Sequence, residues 1–185
     1  MTTYVILMRG INVGGKNKVP MSQLKSVLED QGFENVVTYI QSGNVILQSK
    51  LAAATIEQRI EKTLPSAFTL DSSLIKVLAL SADELEAVID RKPKSFGDHP
   101  DKYHSDAIFL IGIDSAKTMT AFDPREGVDT AWPGDGVIYH QRLSAMRTKT
   151  RLNKMMASPL YKSMTIRSWG TTMKLLELVR AADDR

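Results

Sequence analysis

Three observations predict an α+β fold built from two split βαβ units. Short apolar runs alternate with stretches of helical period, the order strand, helix, strand, strand, helix, strand occurs twice, and the inner strands are apolar on both faces. A strand with no polar face belongs to a sheet covered on both sides. The expected arrangement is two units packed into one compact body: residues 1–81, a connecting helix and loop over 82–104, and residues 105–185 with a C-terminal helix.

In chain order, Thr3 to Met8 reads as an apolar strand. Pro20 to Gln31 reads as a helix, with proline in its first turn, Gly32 as its stop and Met21, Leu24, Val27 and Leu28 as its apolar stripe. Asn35–Gln41 and Asn44–Gln48 form a hairpin across Ser42-Gly43, and Ala52–Leu64 is the second helix. Leu74–Leu80 closes the first unit as a strand, and Ala82–Asp90 is a connecting helix. The second unit follows as strand Asp106–Ile111, helix Ser115–Phe122, a hairpin of Val128–Trp132 with Gly136–Gln141, helix Lys149–Ala157, strand Met164–Arg167 and helix Thr171–Ala181.

Charge is segregated along the 185 residues, although the formal net is only +3. Residues 1–28 carry Arg9, Lys16, Lys18 and Lys25 without an acid. Residues 136–176 carry Arg142, Arg147, Lys149, Arg151, Lys154, Lys162, Arg167 and Lys174, again without one. Blocks so one-sided mark either a solvated face or a partner of opposite sign. With no cysteine, disulfides, thiolate-bound zinc and a thiol nucleophile are excluded. No apolar run reaches the roughly 18 residues of a membrane span, and Thr3–Met8 is too short for a secretory signal. A cytoplasmic location is expected.

The segment Arg9-Gly10-Ile11-Asn12-Val13-Gly14-Gly15-Lys16-Asn17-Lys18-Val19-Pro20 sets glycines, amides and cations between a strand and a helix. Lysines just ahead of a helix oppose its macrodipole by about 0.3–1 kcal/mol each unless an anion occupies the N-terminus. The competing reading is a surface loop whose glycines supply turn geometry. The spacing of a Walker loop is absent. Gln41, Ser42 and Asn44 at the hairpin tip either brace the turn or bond a polar ligand. Arg147, Arg151 and Lys154 fall on one face of the expected helix over 149–157 and its preceding turn, with no acid nearby in sequence. Arg167-Ser168-Trp169-Gly170-Thr171 places an arginine before another helix N-terminus, where Ser168, Thr171 or Thr172 can cap, and Lys174 lies one turn inside. His99, Asp101 and His104 lack a metal-ligand spacing, no metal or cofactor is implied, and no residue pattern identifies a catalytic base.

The N-terminal run Leu7 to Met21, followed by Thr38-Tyr39-Ile40-Gln41-Ser42-Gly43-Asn44-Val45, resembles the bacterial family known as domain of unknown function 1697. That family tends to show Arg-Asn-Trp-Asn-Thr where this chain has Arg167-Ser168-Trp169-Gly170-Thr171, so Ser168 and Gly170 replace two amides. The resemblance implies a duplicated ferredoxin-like fold and brings no established activity.

The leading functional expectation is a binding protein for a phosphate-bearing ligand, a nucleotide or nucleic acid. Its candidate contacts are Arg9, Asn12, Gly14, Gly15, Lys16, Lys18, Gln41, Asn44, Arg147, Arg151, Arg167 and Lys174. Base stacking of the RNA-recognition-motif kind is not expected, because Asn44–Gln48 offers only Val45, Ile46 and Leu47. The rivals are an enzyme acting on a phosphorylated or acidic small molecule, and a protein-interaction module for an acidic partner.

Overall fold

The structure is a computed structural model that describes residues 1–71 and 75–183. It is α+β, with two four-stranded antiparallel sheets and six α-helices among the described residues. The chain divides into two compact units, Met1–Glu86 with Leu175–Arg185, and Ala87–Lys174.

The first unit contains β1 (Thr2–Arg9), α1 (Met21–Asp30), β2 (Glu34–Tyr39), β3 (Asn44–Ser49), α2 (Ala53–Ala67) and β4 (Lys76–Ser81), and α3 (Ala82–Asp90) begins within it. Its sheet order is β2-β3-β1-β4, which makes β1 an inner strand. Tyr4, Ile6 and Met8 join Leu24, Leu28, Ile56, Ile60 and Leu64 of the helices in one core. Val5 and Leu7, on the opposite face of the same strand, are buried as well. Both faces of β1 are therefore covered, as its unbroken apolar run requires, and each such aliphatic side chain contributes about 1.5–3 kcal/mol.

The second unit contains the rest of α3, then β5 (Tyr103–Leu110), α4 (Ser115–Met119), β6 (Asp129–Pro133), β7 (Val137–Leu143), α5 (Leu152–Met156), β8 (Met164–Ser168) and the start of α6 (Trp169–Asp183). Sheet order β6-β7-β5-β8 repeats that of the first unit. Ile108, Leu110, Ile138, Met155 and Met164 form one core. On the other face Phe96 meets Trp132, Tyr139 and Trp169 edge-on, with ring centroids 6.1, 5.3 and 5.0 Å away. The Tyr139 hydroxyl donates to Val88 O at 2.6 Å, and burial raises its pKa to about 12. Trp169 is thus a core residue.

Two local expectations are corrected. The first hairpin turns through four residues, Ile40 to Ser42 and Gly43, because the last cross-strand pair is Tyr39 with Asn44. The expected helix over 149–157 is instead a 3₁₀ turn, Ser144–Lys149, followed by the short α5. Thr150 and Arg151 lie between the two pieces, so Arg147, Arg151 and Lys154 do not share a helical face. The strand expected over Leu74–Leu80 is β4, Lys76–Ser81, with Leu74 outside the described residues.

β4 is an edge strand whose outward amides are nonetheless satisfied. Val77 N–H donates to Glu61 Oε1 and Ala79 N–H to Glu57 Oε1, both at 2.9 Å, from α2. Ser81 N–H donates to Glu84 Oε2 at 2.8 Å, while Glu84 N–H returns a bond to Ser81 Oγ at 3.2 Å. That reciprocal pair is a capping box at the start of α3. Carboxylates in this position both hold α2 to the sheet and deny the edge to another strand.

Glu57→Ala/Glu61→Ala is expected to lose several kcal/mol, about 1.5–3 for each charge-assisted bond, and to self-associate in light scattering. Glu57→Gln/Glu61→Gln, which keeps an acceptor, is expected to lose less. An alanine variant as stable and as monodisperse as the parent would contradict the capping role.

Candidate functional site

The loop from β1 to α1 is built around two asparagines with left-handed backbones, Asn12 at φ 54° and Asn17 at φ 48°. Asparagine tolerates that region better than most residues because its short side chain bonds locally. Asn12 Nδ2 donates to Val19 O and to Gln41 O, both at 2.9 Å, and its Oδ1 accepts Val19 N–H at 2.8 Å. One side chain thereby ties the loop to its own exit and to the β2–β3 turn. Asn17 Nδ2 donates to Gly10 O at 2.7 Å, and its backbone N–H donates to Asp71 Oδ2 at 2.7 Å.

Between the asparagines the chain makes a small hairpin. Asn12 N–H donates to Asn17 O and Lys16 N–H to Val13 O, each at 3.0 Å. Gly14 and Gly15, at φ 58° and 76°, supply the two left-handed residues that a tight hairpin turn needs. Ile11 and Val19 are buried on either side, while Val13, Gly14, Gly15, Lys16 and Lys18 are exposed. The tip is therefore a solvent-facing turn on a braced stem.

The β2–β3 turn is braced in the same way. Asn44 is fully buried and donates to Tyr39 O at 3.1 Å and to Ser42 Oγ at 2.9 Å. Gly43 has φ 79°, and a Cβ there would stand 2.9 Å from Ile11 Cδ1. Ile40 holds φ 49° with its side chain about half exposed. A β-branched residue pays steric strain in that conformation. Gln41 is exposed, and the carbonyl of Gln41 is the group that Asn12 takes.

Cations collect where the loop leaves the sheet. Arg9 lies opposite Lys76 in the β1–β4 register, which brings two basic residues to the base of the loop. Lys76 carries no site signal in the sequence, since only the strand register brings it to Arg9. Helix α1 follows, with Pro20 at its N-cap making no side-chain cap bond and no acid in its first turn.

The basic residues of the second unit are placed differently. Arg151 and Lys154 each reach Asp123 Oδ2 at 2.8 Å, and Arg142 reaches Asp106 Oδ2 at 2.7 Å. The hydrogen bond from Lys154, with help from Arg151, holds the Asp123 carboxyl below the usual carboxylate range. The acids missing from residues 136–176 are thus supplied in space by an earlier stretch of chain, and the one-sided block is partly neutralised. Arg147 is exposed in the 3₁₀ turn. Arg167 is buried, with one guanidinium nitrogen donating to Thr165 Oγ1 and to Ile166 O at 2.9 Å, and burial lowers its pKa to about 10. Lys174 is half-buried on α6. Ser168 Oγ accepts Thr171 N–H at 3.2 Å, so Ser168 caps α6. No group of three or more candidate metal ligands occurs among the described residues.

The fold and this loop define a class: an α+β protein with two like-ordered antiparallel sheets and a braced, cation-rich turn between its first strand and first helix. The chain belongs to the family described as protein of unknown function (DUF1697), whose model matches residues 1–139 and so includes the whole loop and hairpin. Among solved structures it is similar to conserved bacterial protein SP0830 from Streptococcus pneumoniae, with 28% sequence identity, a TM-score of 0.77, and coverage of 96% of this chain and 98% of that one. No curated protein matches it.

Asn12→Ala is expected to leave the buried Val19 N–H unpaired, costing about 1–3 kcal/mol and lowering Tm by roughly 2–4 °C per kcal/mol for a chain of this size. Asn12→Asp is expected to cost more, since it sets a carboxylate against two carbonyls. An Asn12→Ala midpoint equal to the parent's would contradict the clamp.

Proposed function

We propose that the protein binds a phosphate-bearing ligand, a nucleotide or nucleic acid, at the loop between β1 and α1, and that it does so in the cytoplasm. On this reading both units are ferredoxin-like, which the shared strand order and the split βαβ connections support. The observation that carries the reading is the state of Lys16 and Lys18. Both are exposed, neither has an ion-pair partner among the described residues, and they precede a helix whose first amides have no side-chain cap. A dianion there would gain the helix dipole, free N–H donors and two ammonium groups together. Asn12 and Asn44 serve as braces of the loop and turn, leaving Gln41 as the exposed amide for selectivity.

A thermal-shift panel with nucleotides, inorganic phosphate, sulfate and short RNA, at low and moderate salt, tests the proposal. The parent is expected to gain a saturable stabilisation from one ligand class, following RT ln(1 + [L]/Kd). Lys16→Ala/Lys18→Ala is expected to weaken binding roughly a hundredfold or more, since each of the two lost charge-assisted bonds costs on the order of 1.5–3 kcal/mol. Equal affinity in parent and variant would overturn the assignment to this loop. A response to every polyanion that disappears in salt would instead indicate backbone contacts along a nucleic acid.

A further inference from the structure

The second unit holds a buried row of ionisable groups that anion binding leaves unused. Asp106 on β5, Asp129 on β6, and His140 and Arg142 on β7 lie on the sheet face that also carries Ile108 and Ile138. His140 is only 2% exposed and sits opposite Asp106 in register. Its Nε2 lies 3.6 Å from Asp129 Oδ2, its ring centroid is 6.4 Å from that of Phe122, and its Nδ1 is buried with no hydrogen-bond partner. The charged groups facing it are Asp106, Asp129 and Arg142, with His104 beyond, 3.0 Å from Asp106 Oδ1.

Asp129 is the anchor of this region. Its Oδ1 accepts Arg125 N–H, and its Oδ2 accepts the Thr150 hydroxyl and Arg151 N–H. One buried carboxylate therefore fixes both the chain entering β6 and the end of the basic 3₁₀ segment Ser144–Lys149 that carries Arg147 and Lys149.

We propose that His140 and Asp129 form an acid-operated latch, in which a neutral His140 lets Asp129 hold Thr150 and Arg151 in place, and protonation of His140 frees the basic segment. The neutral ring fits with its proton on Nε2, aimed at Asp129. A second proton, on Nδ1, creates a cation with a donor that has no acceptor in the closed site. Burial disfavours that cation more than Asp106 and Asp129 favour it, so the pKa of His140 is lowered from the ordinary 6.5. Once opened, the ring meets water and regains the ordinary value, so the proton binds the open form in preference. Because β6 is an edge strand, β7 is its only ladder partner.

The sign follows from linkage. A base whose pKa is lowered in the closed form stabilises that form above the ordinary value, and the advantage is lost as pH falls below 6.5. The opening equilibrium then rises by up to about tenfold per pH unit, the slope of one proton. Asp129 does not blur this window. Burial opposes its ionisation, but the bonds from Thr150, Arg125 and Arg151 still hold its carboxyl below the usual range.

Amide hydrogen exchange on the full chain, from about pH 7.5 to about pH 5 and corrected for intrinsic rates, tests the latch. Peptides covering 125–131 and 140–151 are expected to lose protection as pH falls, by up to about tenfold per unit, while β1 and β3 hold theirs. His140→Phe is expected to abolish the pH dependence, and Asp129→Asn to open the same peptides at neutral pH. An imidazole NMR titration of the parent, free of folding risk, is expected to place His140 below the ordinary 6.5. A flat exchange profile in the parent, an unchanged profile in His140→Phe, or a His140 titrating at or above the ordinary value would each overturn the proposal.

Discussion

One amide, that of Asn12, decides the shape of the candidate site. Its three hydrogen bonds join the chain leaving β1, the chain entering α1 and the turn of the neighbouring hairpin. Without them the loop would have to find partners for the buried Val19 N–H and for two carbonyls, and its tip would lose the stem that aims it. The left-handed backbone at Asn12 and Asn17 is the cost of this arrangement, and asparagine keeps that cost small. Buried Ile11 and Val19 then fix the stem to the core, so that the exposed Gly14, Gly15, Lys16 and Lys18 project from a rigid base.

The sheet supplies the second constraint. Because β1 is an inner strand buried on both faces, its C-terminal end at Arg9 is fixed in place, and its register with β4 delivers Lys76 beside it. The edge strand β4 is in turn held by Glu57 and Glu61 from α2 and by the Ser81–Glu84 capping box. Carboxylates thus stabilise the scaffold at one edge while cations gather at the loop. The uneven charge along the chain becomes a division of labour in space.

Much of this architecture is legible in residue patterns. Apolar runs such as Thr3–Met8 mark strands with no wet face, and Ala82–Asp90 has the observed bounds of α3. The site is legible in part: glycines, amides and lysines between a strand and a helix mark the loop, but not what each amide does. Asn12 reaches the Gln41 carbonyl 29 residues away and Asn44 the Tyr39 carbonyl 5 residues away, and spacing along the chain does not reveal such contacts. The same limit explains Arg151 and Lys154, whose acid partner Asp123 lies about thirty residues earlier. Thr150 binds Asp129 instead of continuing a helix, so the periodic pattern around Arg147 never closes into one face. The Ser81-x-x-Glu84 signature stood in the open; it marks both a helix start and the end of an edge strand.

The proposed anion site is the braced loop between β1 and α1, preformed before any ligand arrives. Backbone amide shifts during a titration with a nucleoside triphosphate test it most directly. Saturable shifts are expected on residues 13–18 and on the first turn of α1, Met21 to Gln23, with the braced Asn12 and Asn44 amides moving little. Shifts confined to the second unit, or absent at Gly14, Gly15 and Lys16 at saturation, would contradict it.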